Sequence, residues 1–148
     1  MEKRLLVIQE HNANRAGLHW DVRFEDYGDI HMYIEKRDPS TKEPYSTGAD
    51  KISHSGYRVL RSFVIPKHQF PTIPGKVLMA IKVEDHPWEY KDFEGTIESG
   101  YGAGEVKLLF CDYVNVSNYT DEKITFEYNE HWYTIFNTGK NYLIKINK

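Results

Sequence analysis

The sequence predicts an all-β protein, a compact antiparallel β-barrel of about eight strands with a surface insertion. Apolar and polar residues alternate with a period of two along most of the chain, and no long segment shows the 3.6-residue period of an amphipathic helix. Turn-forming residues separate these short segments. Aromatic residues make up 14% of the chain, and tyrosine is the most frequent of them, with 11 residues. An excess of tyrosine favours strands over helix bundles.

Each predicted strand has its own signal. Residues 18–25 alternate cleanly, residues 57–65 end at a proline, and residues 77–83 are strongly apolar up to an acidic turn. Residues 137–141 are rich in turn formers and predict a hairpin loop. The remaining predicted strands are residues 5–9, 105–116, 123–128, 131–136 and 142–146.

The segment at residues 37–55 interrupts this pattern. It contains two prolines, a glycine and many polar residues, and its periodicity is weak. Such a composition cannot bury much apolar area, so we expect an insertion at the surface, outside the core. No linker or internal repeat divides the chain, and a single domain over residues 1–148 is predicted.

Charge and cysteine content limit the functions that the chain can have. The formal net charge is −3, which excludes a basic coat that grips long duplex DNA without specificity. The single cysteine, Cys111, excludes an intrachain disulfide and a zinc site built from cysteines, and within its apolar strand an inert thiol is expected. No apolar run reaches the roughly 18 residues of a membrane-spanning helix. We therefore expect a cytoplasmic monomer with no membrane contact.

The strand at residues 18–25 carries the first candidate site. His19, Asp21 and Arg23 are two residues apart, so their side chains share one face of a strand. Imidazole and carboxylate suit Mn²⁺, Fe²⁺ or Zn²⁺, and an adjacent strand could add His11 as a third ligand. The Arg23 guanidinium suits phosphate oxygens. The alternative is the ordinary solvated face of an amphipathic strand.

The second candidate site follows the strand at residues 77–83. His86 precedes a proline at the strand end, where its imidazole can act as a general acid or stabilise the charge of a phosphoryl group. Tyr90 can donate a hydrogen bond to the same group. The alternative is a turn with a satisfied histidine and a packed tyrosine. The glycine-rich residues 95–104 match no phosphate-binding fingerprint, and we expect them to allow tight bends and close backbone approach.

Several segments together resemble a known family. In chain order they are residues 9–11, 19–25, 60–67, 83–90, 93–97, 101–104 and 141–145. They are similar to the patterns Gln-x-His, His-Tyr-Asp-Phe-Arg-Leu-Glu, Leu-Lys-Ser-Trp-Ala-Val-Pro-Lys, Val-Glu-Asp-His-Pro-Leu-x-Tyr, Phe-Glu-Gly-x-Ile and Tyr-Gly-Ala-Gly, and to the family's closing strand. The chain thus resembles the 3′-phosphoesterase domain of DNA ligase D, which also occurs as a free-standing protein in bacteria and archaea.

The resemblance implies a compact β-barrel with a divalent metal, typically Mn²⁺, with Zn²⁺ or Co²⁺ as alternatives. It implies removal of a 3′-phosphate and of a 3′-terminal ribonucleotide from a DNA primer. The residues that it implies for the metal are His11, His19 and Asp21. Those that it implies for the scissile phosphate are Arg23, His86 and Tyr90, with Lys67 as a further phosphate contact. The implied partners are DNA or DNA–RNA primer 3′ ends and a repair ligase or polymerase.

The chain also departs from the family pattern. Seven residues separate His11 from His19 where the family usually has five, and we expect a loop to absorb the extra residues. Residues 26–56 form an insertion, and Leu78 falls near the place of a family arginine. Only ten residues precede His11, so the polar N-terminal arm of family enzymes has no counterpart, which predicts reduced or narrowed activity.

Three functions are compatible with these observations. The first is a metal-dependent phosphoesterase that heals 3′ ends in DNA repair. The second is a non-catalytic module on the same barrel that binds nucleic acid or a repair protein. The third is a metal-dependent phosphodiesterase acting on RNA or a small nucleotide. The histidines and Asp21 favour an enzyme, whereas the absent arm and arginine favour the binding module.

Overall fold

The computed structural model describes residues 2–28, 57–100 and 102–147, and these residues form eleven strands and a short 3₁₀ helix, Trp88–Asp92. None of the helices in this part of the chain is long and apolar enough to cross a membrane. The strands are β1 (Glu2–Ala13), β2 (Gly17–Gly28), β3 (Tyr57–Ile65), β4 (Val77–Met79), β5 (Ile81–Lys82), β6 (His86–Pro87), β7 (Gly95–Ile97), β8 (Gly104–Tyr119), β9 (Lys123–Tyr128), β10 (His131–Asn137) and β11 (Tyr142–Ile146).

All strand pairs are antiparallel and belong to one sheet, which confirms the predicted all-β, antiparallel fold. The strand order is β4-β11-β10-β9-β8-β1-β2-β3-β5, with β6 paired to β3 and β7 paired to β8. The sheet is compact but is not closed into a barrel: its two end strands, β4 and β5, follow each other in the chain instead of pairing.

The predicted single strand at residues 77–83 is wrong in one respect, because Ala80 divides it. Ala80 is fully buried, and its N–H donates to the Tyr142 carbonyl at 3.0 Å. Before Ala80 the segment pairs with β11, and after it the segment pairs with β3. Short pieces such as these raise the strand number from about eight to eleven.

The main apolar core lies on the inner face of the sheet, and aromatic rings dominate it. Phe126 stands edge-on to Phe24, with ring centroids 5.0 Å apart, and Phe70 packs on Tyr133 at 4.9 Å. Such ring contacts, including the edge-to-face pair of Phe24 and Phe126, add to the stability that buried area provides. Val22 alternates with its polar neighbours so that it also enters this core.

The opposite, outer face of β1, β2 and β3 is also covered. Leu5, Val7 and Leu60 on this face form a second apolar cluster, against which Trp88 and Tyr90 of the 3₁₀ helix pack. The polar face of β2 is therefore enclosed, and its interpretation as an ordinary solvated face is wrong. Its four alternating side chains, His19, Asp21, Arg23 and Glu25, are all buried.

The predicted insertion can be followed only at its start. Residues 26–28 continue β2, while residues 29–56 lie outside the described residues, and so does the polar segment at 37–55. Its position at the surface stays a prediction, as does the single-domain organisation of residues 1–148.

Candidate metal and phosphate site

The candidate metal ligands face one another across the β1–β2 hairpin. The register pairs His11 with His19 and Gln9 with Asp21, so all four side chains project from the outer face. The turn before Gly17, whose φ is +76°, takes up the two extra residues between the histidines without disturbing the pairing. The expectation that a loop absorbs them is confirmed.

The three side chains form a compact cluster. The His11 Nδ1 lies 3.3 Å from Asp21 Oδ2, and His19 Nε2 lies 3.1 Å from Asp21 Oδ1. One ligand atom from each residue can be chosen so that all three lie within 4.8 Å of one another. Two imidazole nitrogens and a carboxylate oxygen form a donor set suited to Mn²⁺ or Zn²⁺, and three protein ligands leave positions for water or substrate.

Backbone carbonyls orient both imidazoles. His11 Nε2 donates to the Gly102 carbonyl at 2.7 Å, and His19 Nδ1 donates to the Gly17 carbonyl at 3.2 Å. A carbonyl only accepts, so these nitrogens carry the hydrogens, and the opposite nitrogens face Asp21. Outer hydrogen bonds of this kind hold metal-binding histidines in the correct tautomer. The residues present therefore fit a divalent metal.

The electrostatics of the cluster favour a charged Asp21. Burial alone would raise the pKa of this carboxyl, but its contacts with the His11 and His19 imidazoles and the charge of Arg23 hold it well below its usual range. The hydrogen bond to Asp21 raises the pKa of His11 above 6.5, against the effect of burial. A metal would displace the proton that His11 Nδ1 shares with Asp21, so protons and metal compete for this site.

Arg23 is held rigidly beside the cluster. Its side chain is 2% exposed, its Nε donates to Gln9 Oε1 at 2.7 Å, and its Nη1 donates to Ser62 Oγ at 2.8 Å. Its Nη2 lies 3.4 Å from Asp21 Oδ2. Burial lowers the pKa of Arg23, yet a guanidinium remains charged at neutral pH. The positive charge is thus fixed within a few ångströms of the candidate metal ligands.

His86 and Tyr90 join the site from the other side of β3. The register pairs His86 with Leu60 on the outer face, and the His86 and Tyr90 rings lie 5.1 Å apart. The Arg23 guanidinium lies 4.9 Å from the centre of the Tyr90 ring. Burial and the nearby charge of Arg23 lower the pKa of His86 to about 4, so its imidazole is neutral at pH 7. Burial also raises the pKa of Tyr90.

Lys67 is the one predicted site residue that the structure does not join to this group. It is exposed in the turn after β3, and within the described residues no hydrogen bond or ion pair connects it to the cluster. Its contact with phosphate stays a prediction. Cys111 lies partly buried beside the second apolar cluster, and burial raises the pKa of its thiol, in keeping with an inert residue.

Sequence reasoning assigned no role to Gln9, Ser62 or Gly102, although all three belong to segments that carried the resemblance. Gln9 is fully buried, and besides holding Arg23 its Nε2 donates to the carbonyls of Tyr90 and Phe93, at 3.0 and 3.1 Å. Gln9 therefore ties the 3₁₀ segment to Arg23. The resemblance was the only available signal, because these contacts join residues far apart in the chain.

The glycine-rich loop has both a structural and a positioning role. A Cβ on Gly104 would lie 2.2 Å from the Asn12 carbonyl oxygen, so the close approach of β8 to β1 requires glycine, as expected. Gly102 of the same loop supplies the carbonyl that orients His11. The loop thus forms the β1 side of the cluster.

Comparison with known proteins identifies the family. A family model described as the DNA Ligase D 3′-phosphoesterase domain matches residues 51–135, more than half of the chain. This match includes His86 and Tyr90, whereas the candidate metal-ligand cluster on β1 and β2 precedes it.

Individual relatives carry the same family name. The multifunctional non-homologous end joining protein LigD of Pseudomonas aeruginosa is 49% identical over 49 residues, which is 32% of this chain and 6% of that protein. The multifunctional non-homologous end joining DNA repair protein LigD of Mycobacterium tuberculosis H37Rv is 40% identical over 70 residues, 47% of this chain and 9% of the relative. The aligned segments thus cover less than a tenth of these relatives. By the family match, the chain belongs to the DNA ligase D 3′-phosphoesterase domain family.

Proposed function

We propose that this protein is a divalent-metal-dependent 3′-phosphoesterase that removes 3′-phosphates and 3′-terminal ribonucleotides from DNA or DNA–RNA primer ends during repair. The observation that carries the proposal is the buried cluster of His11, His19 and Asp21 with Arg23 fixed beside it. Side chains that serve only as a polar surface are rarely enclosed and hydrogen-bonded in this way. The net charge of −3 disfavours binding along the length of a DNA duplex. Together with membership of the family, this charge supports a substrate that is recognised at the end of a strand.

His11, His19 and Asp21 would hold the metal, with Mn²⁺ as the proposed ion. When bound, such an ion neutralises phosphate charge and lowers the pKa of coordinated water. Arg23 would bind a phosphate oxygen through its guanidinium, which Gln9 and Ser62 already hold in place. Because this positive charge is fixed before the substrate arrives, it needs little reorganisation to stabilise negative charge on the phosphate.

His86 and Tyr90 would act on the phosphate from the side opposite the ligand cluster. The His86 Nδ1 lies 3.2 Å from the Glu84 carbonyl, which assigns a hydrogen to Nδ1 and the lone pair to Nε2. A neutral imidazole of this kind suits a base that removes a proton from attacking water. To protonate the leaving 3′-oxygen it must first gain a proton, which a bound phosphate dianion would favour. Hydrolysis breaks the bond between phosphorus and the 3′-oxygen and leaves a 3′-hydroxyl and inorganic phosphate.

The test is a Mn²⁺-dependent assay on a labelled primer with a 3′-phosphate, together with a primer that ends in one ribonucleotide. We expect turnover by the wild type, its loss on metal removal, and a decrease of at least about 10³-fold in Asp21→Asn. Asp112→Asn, which changes an exposed acid on β8, serves as the matched control and should retain full activity. A wild type that binds primer ends without cleaving them would instead support the non-catalytic module.

A further inference from the structure

The candidate metal site continues sideways into an apolar row. The register pairs Asp21 with Val64 on β3, and Val64 with Ile81 on β5. Directly paired residues of an antiparallel sheet project from the same face, so Val64 and Ile81 lie on the outer face with Asp21. With neighbouring strands about 4.8 Å apart, the Ile81 backbone is about 10 Å from that of Asp21.

This row is open, whereas two neighbouring parts of the outer face are covered. The 3₁₀ segment with Tyr90 packs over one end of the face, and the carbonyl of Gly102 closes the β1 side of the cluster. In contrast, Ile81 is 42% exposed and Val64 is partly buried. Within the described residues, therefore, two aliphatic side chains form an open surface directly beside the buried Asp21.

We propose that Val64 and Ile81 form an apolar floor for the nucleoside that carries the 3′-phosphate. This inference rests on the proposed function, since it requires a phosphate at the metal cluster. A phosphate held by Arg23 and the ligand cluster has its nucleoside attached through one oxygen, and the row extends from Asp21 by about the length of one nucleoside. Every base has an apolar face, so a base can cover aliphatic side chains irrespective of its identity.

The same segment provides a matched control. Val77 on β4 is 46% exposed, nearly the same fraction as Ile81, and both are aliphatic residues on one short segment. Val77 pairs with Lys145 of β11, whereas Ile81 pairs with Val64 next to the cluster. A scattered exposed aliphatic residue needs no functional explanation. The distinguishing feature of Ile81 is thus its place in the row that begins at Asp21.

The experiment compares Ile81→Ser with Val77→Ser. With Mn²⁺ present, we expect Ile81→Ser to raise the KM for a 3′-phosphorylated primer by roughly 3- to 10-fold, the effect of losing between one and two buried CH₂ groups. Its kcat and the inhibition constant for inorganic phosphate, which has no nucleoside, should stay within about twofold. Val77→Ser should match the wild type. Without added metal, fluorescence anisotropy should show that a labelled 3′-phosphorylated primer binds less tightly to Ile81→Ser than to the wild type or to Val77→Ser.

The outcomes separate the floor from the proposed function. An active wild type whose primer KM and primer affinity are unaffected by Ile81→Ser contradicts the floor and leaves the phosphoesterase intact. Equal weakening of primer and inorganic phosphate also contradicts the floor, because the substitution then disturbs the phosphate site itself. A wild type that does not hydrolyse the primer contradicts the proposed function. Thermal unfolding of both variants, expected to coincide, shows that the comparison is made on folded protein.

Discussion

In the centre of strand β2, at residues 21–25, the two faces are both buried and are chemically opposite. Val22 and Phe24 point into the main core and are 0% exposed, while Asp21 and Arg23 on the other face are only 6% and 2% exposed. The inner side chains gain stability from apolar area removed from water. The outer ones gain little from burial and depend on their partners. Alternation therefore marks two sides of a strand, but does not reveal which side water reaches.

The outer face is stable because its polar groups are paired. No buried side-chain nitrogen or oxygen in the described part of the chain lacks a hydrogen-bond partner. Burying such groups unpaired would cost several kcal/mol each. One face therefore holds the fold together while the other maintains a fixed charged site. Substitutions on the inner face should impair folding, and substitutions on the outer face should impair chemistry.

The largest expected effects separate two histidines of the outer face. His19→Ala should lose both metal affinity and turnover, because a ligand supplies a lone pair to the metal. His86→Ala should keep metal affinity nearly intact while the rate falls by roughly 10²–10⁴-fold, the usual contribution of a positioned acid–base group. Calorimetric Mn²⁺ titration beside 3′-phosphatase rates tests this. If His86→Ala loses Mn²⁺ affinity and His19→Ala keeps it, the assignment of the two roles is wrong.

On the inner face the same kind of truncation should affect folding instead of chemistry. Phe24→Ala removes a fully buried ring that packs on Phe126, and we expect a loss of about 3–5 kcal/mol in the free energy of unfolding. Urea unfolding measures this, with the exposed Tyr113→Ala as a control expected to change stability by less than about 0.5 kcal/mol. A Phe24→Ala protein of undiminished stability would show that the inner face is not the main source of stability.

An intermediate effect is expected at Gln9, which joins Arg23 to the 3₁₀ segment on the outer face. Gln9→Leu keeps the approximate size but leaves the Arg23 Nε and the carbonyls of Tyr90 and Phe93 without their partner. We expect a loss of about 1–3 kcal/mol in stability and a lower rate with metal affinity retained. The exposed Asn12→Leu on the same strand is the control. Unchanged kinetics in Gln9→Leu would mean that Arg23 is held well enough without it.

The smallest effect concerns protons at the ligand cluster. Because the hydrogen bond to Asp21 raises the pKa of His11 above 6.5, the metal-free protein retains that proton to a higher pH than the unfolded chain does. This contribution to stability is fully present below pH 6.5 and is lost as the pH rises through the raised pKa. Metal affinity changes in the opposite direction and should fall about tenfold per pH unit below that pKa.

Titration with Mn²⁺ between about pH 5 and pH 8 tests this, since a proton-linked site should release protons as metal binds. His131→Ala, outside the cluster, should show the same dependence as the wild type. A metal affinity that does not vary with pH would exclude His11 as a ligand that must first lose a proton.

Local sequence patterns were enough to predict most of the strands and the shared face of three candidate site residues. The predicted strands at residues 57–65, 123–128 and 142–146 coincide with β3, β9 and β11, because alternation and turn residues are local signals. The same alternation was enough to place His19, Asp21 and Arg23 together. Recognition of the family likewise needed only motifs in chain order, and the family match confirms it.

The burial of this face and the contacts that hold its residues depend on segments that are distant in the chain. The partners of Gln9 and His11, at Tyr90 and Gly102, lie 81 and 91 residues away in the chain, and no local period encodes such contacts. The division of residues 77–82 at Ala80 has the same origin, since it depends on where β11 and β3 happen to lie. Side-chain periodicity follows from backbone geometry within one strand, whereas burial follows from which distant segment packs against it.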